Sequence, residues 1–223
     1  MACKNALYIV AIPIGDPDDI TLRAIRVLKE VDILVCEEYR NGSRLLHRLG
    51  IDGKEMITTN EHNEQQQIEK LLIKLAEGKS LALVSDCGTP LFSDPGHRLV
   101  EEVISAGFQI IPVPGVSSLA PVISVTPQKL TRYVFGGFLP RDPNERISEL
   151  KKLKAMKMPV ILMDTPYRLS TLLENVKSVF GKGHPVTLAC DLTLPSEMIL
   201  TASVEEVMKK TANKKAEFML VVM

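Results

Sequence analysis

The order in which hydrophobic periods change along the chain limits its folds most. The run ALYIVAI (6–12) is apolar and rich in β-formers. After a turn at Pro13–Asp18 the period lengthens: Leu22, Ile25 and Leu28, with Ala24, Val27 and Val31, recur on one helical face. DILVC repeats the strand signal, and SRLLHRLG predicts a short helix ended by Gly50. A third strand, Glu55–Thr59, precedes the helix QQQIEKLLIKLAEG, for which Asn63 and Gln66 form a candidate capping box. SLALVSD predicts a buried strand. Asp94-Pro95 supplies an N-cap and first-turn proline for PGHRLVEEVISAG, and FQIIPV closes the series.

The second half is less regular. PGVSSLAPVISV predicts a short helix, TRYVFGGFLP a strand into a loop, and Asp142-Pro143 a capped helix. MPVILMDTP is a strand and YRLSTLLENVKSVFG an amphipathic helix. PVTLACDLT, SEMILTA and AEFMLVVM are strands, and Ser203 with Glu206 boxes a helix among them. Strands alternating with helices early, then neighbouring strands late, predict two α/β domains. The boundary falls near Pro112–Ser118, giving domains 1–115 and 116–223.

Composition removes several function classes. Apolar residues make up 45% and charged residues 24%, so the chain buries enough surface to offset its conformational entropy and is not disordered. Lys+Arg and Asp+Glu both number 27, which excludes a uniformly polycationic binder. The zero is a cancellation. Residues 1–115 hold 12 basic and 17 acidic side chains and residues 116–223 hold 15 and 10, so the halves carry −5 and +5. Phosphate contacts are therefore expected mainly from the second half, where Arg132, Arg141, Arg146, Lys151, Lys152, Lys154, Lys157 and Arg168 lie. Lys151–Lys157 also fits the solvated face of one helix.

Cys3, Cys36, Cys87 and Cys190 lie far apart, and His47, His62, His97 and His184 lack ligand spacing, so no metal site is expected. Unpaired thiols fit a reducing compartment. MACKNALYIV turns polar too soon for a secretory signal, and the uncharged stretch from Val103 to Gln128 is broken by Gly107, Pro112, Pro114, Gly115, Pro121 and Pro127. A cytoplasmic protein without membrane contact is expected. Gly78-Lys79-Ser80 ends a helix and has Ile73 where a phosphate loop needs glycine; Gly-x-Gly-x-x-Gly is absent.

Three polar clusters follow strands. In VSDCGTPLFSDPG (84–96), Asp86, Gly88, Thr89 and Pro90 sit at the carboxyl end of a buried strand, where open α/β sheets bind ligands. Gly88 lets a ligand approach the backbone. The other reading of the segment is an elaborate loop with a helix cap at Asp94. Glu37-Glu38-Tyr39-Arg40 follows a second strand, with carboxylates able to deprotonate a hydroxyl, or to form a local ion pair. Asn60-Glu61-His62-Asn63-Glu64 follows a third; its histidine serves as a capping or surface group if not a catalyst. All three fall on one edge of one sheet.

LYIVAIPIGDPDDITLRA, EEYR, NEHNE, LVSDCGTPLFSDPG, VPGVSS, GGFLP and TPYRL occur in the order found in the bacterial ribosomal small-subunit RNA cytidine 2′-O-methyltransferases, and the chain resembles this family of the tetrapyrrole-methylase superfamily. The resemblance implies a two-domain α/β fold with a mostly parallel N-terminal sheet and a mixed C-terminal sheet. It also implies S-adenosylmethionine as cofactor in the interdomain cleft, ribosomal RNA or the small ribosomal subunit as partner, and a homodimer.

Carried over residue by residue, Pro13 lies in the first loop, which resembles the family's cofactor-and-substrate loop, Asp86, Gly88, Thr89 and Pro90 resemble the main cofactor loop, and Ser117 and Ser118 resemble the hydroxyl pair after the Pro-Gly turn. Met163, Ala189 and Leu192 match positions lining the adenosine pocket. Glu37, Arg40, His62, Asn63, Glu64 and Arg168 match polar positions on the nucleic-acid side. Departures cluster there: Tyr39 replaces a threonine, Met163-Asp164-Thr165-Pro166-Tyr167-Arg168 stands for Tyr-Glu-(Ser/Ala)-Pro-His-Arg, Asp191 for glutamate, and Ala216 for glycine.

The implied chemistry is displacement at a sulfonium methyl, with Glu37 as base for a ribose hydroxyl and Arg40 as a phosphate or ribose anchor. Two other readings share the fold: methylation of a small tetrapyrrole-like substrate, and a non-catalytic RNA-binding module.

Overall fold

Leu7 and its neighbours Ala6, Tyr8 and Val10 project to opposite sides of one strand, and all four are buried. A strand apolar on both faces needs cover above and below, which strand–helix–strand crossovers provide. The computed structural model describes residues 3–59, 63–94 and 96–223. It divides into two compact units, Met1–Ser117 and Ser118–Met223.

In the first unit the order is β1 (Ala6–Val10), α1 (Leu22–Glu30), β2 (Ile33–Cys36), α2 (Tyr39–Arg48), β3 (Glu55–Thr58), α3 (Glu64–Ala76), β4 (Leu81–Leu83), α4 (His97–Ser105) and β5 (Gln109–Val113). The five strands form one sheet, β3-β2-β4-β1-β5, and every pair is parallel. One face packs Ala24, Val27 and Leu28 of α1 and Leu46 of α2; the other packs Ile68, Leu71 and Leu75 of α3 and Leu99 and Val103 of α4.

The second unit runs α5 (Leu119–Ser124), β6 (Val134–Gly137), α6 (Pro143–Ala155), β7 (Val160–Asp164), α7 (Leu169–Phe180), β8 (Pro185–Cys190), β9 (Met198–Ser203), α8 (Val204–Lys210) and β10 (Phe218–Val222). Its sheet, β6-β7-β10-β8-β9, is mixed: β6 and β7 are parallel, and every pairing of β10, like that of β8 with β9, is antiparallel. α6, α7 and α8 cover one face, burying Leu150, Leu153, Leu172, Val176 and Val207; Val122 of α5 meets Ile161, Ala189, Met219 and Val221 on the other. At the β6 bulge, a Cβ on Gly136 would stand 2.8 Å from Leu162 Cδ2, so glycine lets β6 lie close to β7.

Side chains cap several helix starts, and those at Asp142 and Ser203 follow their sequence signals. Thr21 Oγ1 accepts from Ala24 N at 3.0 Å. Asp142 accepts from Asn144 N at 2.8 Å and Glu145 N at 3.0 Å, with Pro143 in the first turn. Ser203 and Glu206 cap each other's backbone. Two expected caps differ. Asn63 occupies the N-cap of α3 without capping it; its Nδ2 donates to Thr58 O at 3.2 Å, back to the end of β3. The N-cap of α4 is Gly96 at φ 118°, not Asp94, since the chain reaches the helix through a left-handed turn. α2 also begins before Ser43, at Tyr39, which puts Arg40 inside the helix.

Among the described residues no helix is long and apolar enough to cross a membrane, and no three His, Cys, Asp or Glu side chains gather as metal ligands.

The amino ends of β2 and β4 are joined by one carboxylate. Asp32 Oδ2 accepts from Ser80 N and Ser80 Oγ, both at 2.8 Å, and Oδ1 lies 3.3 Å from Lys79 Nζ. The Ser80 bonds, with the lysine, hold the Asp32 carboxyl below its ordinary value. A lowered carboxyl pKa contributes stability that is present above the unfolded pKa and lost as pH falls through the folded one. Asp32→Asn is expected to lower the unfolding temperature at pH 7, with the gap from the native chain closing through the acid carboxylate range; melts at several pH values check this.

Candidate active site

In an all-parallel sheet every strand delivers its carboxyl end to the same edge, so five loops of the first unit emerge together. Three are tied by hydrogen bonds. Ile12 N donates to Gly88 O at 2.9 Å, and Gly88 N to Pro13 O at 3.4 Å. Thr89 Oγ1 donates to Val116 O at 2.8 Å, and Ala11 N to Val113 O at 3.2 Å. The loops after β1, β4 and β5 thus form one assembly. Gly88 is required in it: its φ is +74°, and a Cβ there would meet Ile14 Cγ2 at 3.0 Å.

This assembly brings together Pro13, Asp86, Gly88, Thr89, Pro90 and Ser117. Gly88 and Pro90 are buried, Pro13, Thr89 and Ser117 half-buried, and Asp86 exposed. A cavity of about 220 Å³ opens beside it, lined by Pro13, Ile14 and Gly15 of the first loop, Asp86 and Cys87, and Asn41, Arg44 and Arg48 of α2. Neither arginine stands out in the sequence, since helix-surface arginines are ordinarily solvated. Their four-residue spacing from Arg40 is the one signal there.

Glu37, half-buried, lines a second, smaller cavity of about 20 Å³ with Thr59, Ser85, Pro90, Leu91 and Asp94. Burial pushes the Asp94 carboxyl up; the charge of Asp86 adds to this, and a side-chain interaction with Ser85 opposes it. Asp94 is therefore part of the polar floor around Glu37 rather than a helix cap. Leu91, at φ 66°, holds the chain in a left-handed turn between them. Beneath, Cys36 is buried, and burial with the charges of Asp86 and Glu38 raises its thiol to about 11, so it stays protonated.

Arg40 is exposed in the first turn of α2, and Glu64 is half-buried in the first turn of α3, beside the N-cap Asn63. His62 lies outside the described residues.

In the second unit, Ser118 precedes α5, and Met163 and Leu192 pack with Ala189 in the apolar cluster under that helix. Ala189 is fully buried, whereas Met163 and Leu192 are half-buried. Arg168 Nη1 is 3.5 Å from Oδ1 of the buried Asp164, which also accepts from Thr165 N at 2.8 Å. Beside them, Asp191 and Thr193 take left-handed conformations at φ 50° and 67°, and Lys214 Nζ lies 3.5 Å from Asp191 Oδ2. Lys215 stands 5.1 Å from the Tyr167 ring centroid.

A parallel first unit with a pinned loop assembly and a mixed second unit define the class. Residues 6–208 match the family described as Tetrapyrrole (Corrin/Porphyrin) Methylases, and the chain belongs to that family and is a methyltransferase. Among its relatives are proteins named ribosomal RNA small subunit methyltransferase I. The one from Escherichia coli O157:H7 is 39% identical over 223 residues, covering 98% of this chain and 78% of the relative. That from Halalkalibacterium halodurans is 36% identical over 221 residues, 98% and 76% of the two chains. That from Leptospira biflexa is 36% identical over 216 residues, 96% and 89%.

Two solved structures share the fold. A uroporphyrin-III C-methyltransferase from Thermus thermophilus gives a TM-score of 0.66 at 20% identity, covering 98% of this chain and 94% of that one. A cobalt precorrin-4 methyltransferase of cobalamin biosynthesis gives 0.68 at 21%, with the same coverage.

The raised Asp94 pKa means that the fold favours the neutral carboxyl. The associated stability is complete below the unfolded pKa and is lost as pH rises through the folded one. Asp94→Asn, which imitates the neutral form, is expected to melt higher than the native chain at pH 7 and to lose that advantage at acid pH.

Proposed function

We propose that the protein transfers a methyl group from S-adenosylmethionine to the 2′-hydroxyl of a cytidine in small-subunit ribosomal RNA. The observation that carries this is its 39% identity, over nearly the whole chain, to a relative named for methylation of that RNA. The half-buried Glu37 beside the loop assembly supports it. A small tetrapyrrole-like acceptor would fit the fold of the two solved structures, but the curated relatives' names favour RNA.

The residues fit a methyl donor. Gly88, buried at φ +74° and bonded through its backbone to Ile12 and Pro13, sets the loop from which the exposed carboxylate of Asp86 emerges. In this reading Pro13, Asp86, Gly88, Thr89, Pro90, Ser117 and Ser118 hold the cofactor, and Met163 and Leu192, packed on the buried Ala189, give its adenosine an apolar wall. S-adenosylmethionine supplies a methyl on a sulfonium, whose departure as a neutral thioether needs no acid. The demand on the protein is to position the hydroxyl, exclude water and take its proton.

Glu37 accepts that proton. Arg40, His62, Asn63, Glu64 and Arg168 are the acceptor-side residues; Arg168 is oriented by Asp164. A homodimer in the cytoplasm completes the reading.

Glu37→Gln keeps the shape and removes the base. It is expected to lower kcat by about 10²–10⁴-fold with the dissociation constant for S-adenosylmethionine unchanged; methylation at the native rate would overturn the assignment. Cells lacking the gene are expected to lose one 2′-O-methyl mark from the small-subunit RNA, and an unchanged map would overturn the acceptor.

A further inference from the structure

The first unit is net acidic, yet α2 carries Arg40, Arg44 and Arg48 and no carboxylate between Tyr39 and Arg48. The three stand at four-residue intervals, about 6 Å apart along the axis, so they form one stripe, and all are exposed. Like charges at this spacing repel by a few tenths of a kcal/mol, and Arg40 also sits at the positive end of the helix dipole. Neither Arg44 nor Arg48 has an ion-pair partner among the described residues. An arrangement that costs stability in the free protein suits an anionic ligand.

The cavity gives that ligand a place. Arg44 and Arg48 line one wall with Asn41, three residues before Arg44 on the same face; Pro13 and Gly15 line another, and Asp86 and Cys87 a third. Guanidinium forks match phosphate bidentately, an amide adds a neutral donor, and about 220 Å³ admits a phosphate with part of its sugar. Asp86 is the one carboxylate among the described residues that line the cavity. It would repel a purely anionic ligand, but it accepts from a sugar hydroxyl. Phosphate and hydroxyls together are what a polynucleotide presents.

We propose that Asn41, Arg44 and Arg48 form a phosphate-binding subsite for the RNA strand that bears the target nucleotide. It seats a phosphate flanking the acceptor ribose beside the loop of Pro13 and Asp86. This rests on RNA as the acceptor. It assigns backbone contacts to the net-acidic unit, where total charge points to the other half. The arginines are positioning residues: they set register and make no contact with the reacting atoms.

The test compares the native protein with Arg44→Ala/Arg48→Ala and Arg44→Lys/Arg48→Lys, using a labelled small-subunit ribosomal RNA fragment for binding and small ribosomal subunits for turnover. Thermal melts of all three confirm folding. The alanine pair is expected to raise KM for subunits at least about 10-fold and to leave kcat and S-adenosylmethionine affinity within about 2-fold. It should also flatten the slope of log affinity against log salt by about 0.7 for each phosphate that the arginines no longer neutralise. The lysine pair is expected to keep the slope and recover part of the affinity, since it keeps charge but not the fork.

Unchanged KM and salt slope in the alanine pair overturn the subsite. So does weakened cofactor binding with native RNA affinity, which would give the arginines to the cofactor's carboxylate. If the native protein neither binds nor methylates the RNA, the acceptor reading falls and the subsite with it, an outcome distinct from the other two.

Discussion

The in-register parallel pairing of β1 between β4 and β5 is the constraint on which the rest depends. Leu7 and Ile9 stand opposite Leu81 and Leu83 on one side, and Ala6–Val10 opposite Gln109–Val113 on the other. Because the strands end level, three loops leave the sheet side by side and their backbones bond to each other through Ile12, Gly88, Thr89 and Val116. A slip of one residue would turn Leu7 into the face of α1 and α2, so burial on both faces fixes the register. The loop geometry is fixed through the core.

The second unit reaches a similar end by another route. Phe218 of β10 stands opposite both Asp164, at the end of β7, and Cys190, at the end of β8. Antiparallel insertion of a central strand thus aligns two strand ends with its own beginning. Asp164, Arg168, Asp191 and Lys214 gather there, while α5 closes an apolar cluster on one face. At this edge Asp164 pairs with Arg168 and Asp191 with Lys214, whereas among the described residues Arg44 and Arg48 of α2 have no ion-pair partner. Net charge per domain is therefore a poor guide to where an anion is drawn; local arrangement decides.

The elements were legible because their signals are local. Asp142 and Ser203 cap the helices their sequences mark, and the apolar runs at 6–10, 33–36 and 81–83 are strands. Asp94 shows where local reasoning stops. An Asp-Pro pair is a strong start signal, yet the left-handed Gly96 starts α4, and Asp94 turns instead toward the cavity of Glu37. Asn63 fails in the same way, spending its amide on Thr58 across the loop. For Asp94 the competing partners come from other elements of the fold, and for Asn63 from the end of the preceding strand. Arg44 and Arg48 were not legible for another reason: on a helix drawn alone they are a solvated face, and only the folded first loop makes that face the wall of a cavity.

By itself the sequence determined two α/β domains, the elements within them, polar clusters that follow the strands and a family resemblance carried by the loops. Those properties follow from periodicity and from short motifs whose meaning is set within a few residues. Tertiary structure alone decided which loops bond to each other, that Asp94 shares a cavity with Glu37, and that Arg44 and Arg48 of α2 line a cavity with Pro13 and Asp86. These are relations between residues far apart in the chain. The packing of both faces of the parallel sheet, which brings its loops to one edge, is what creates them.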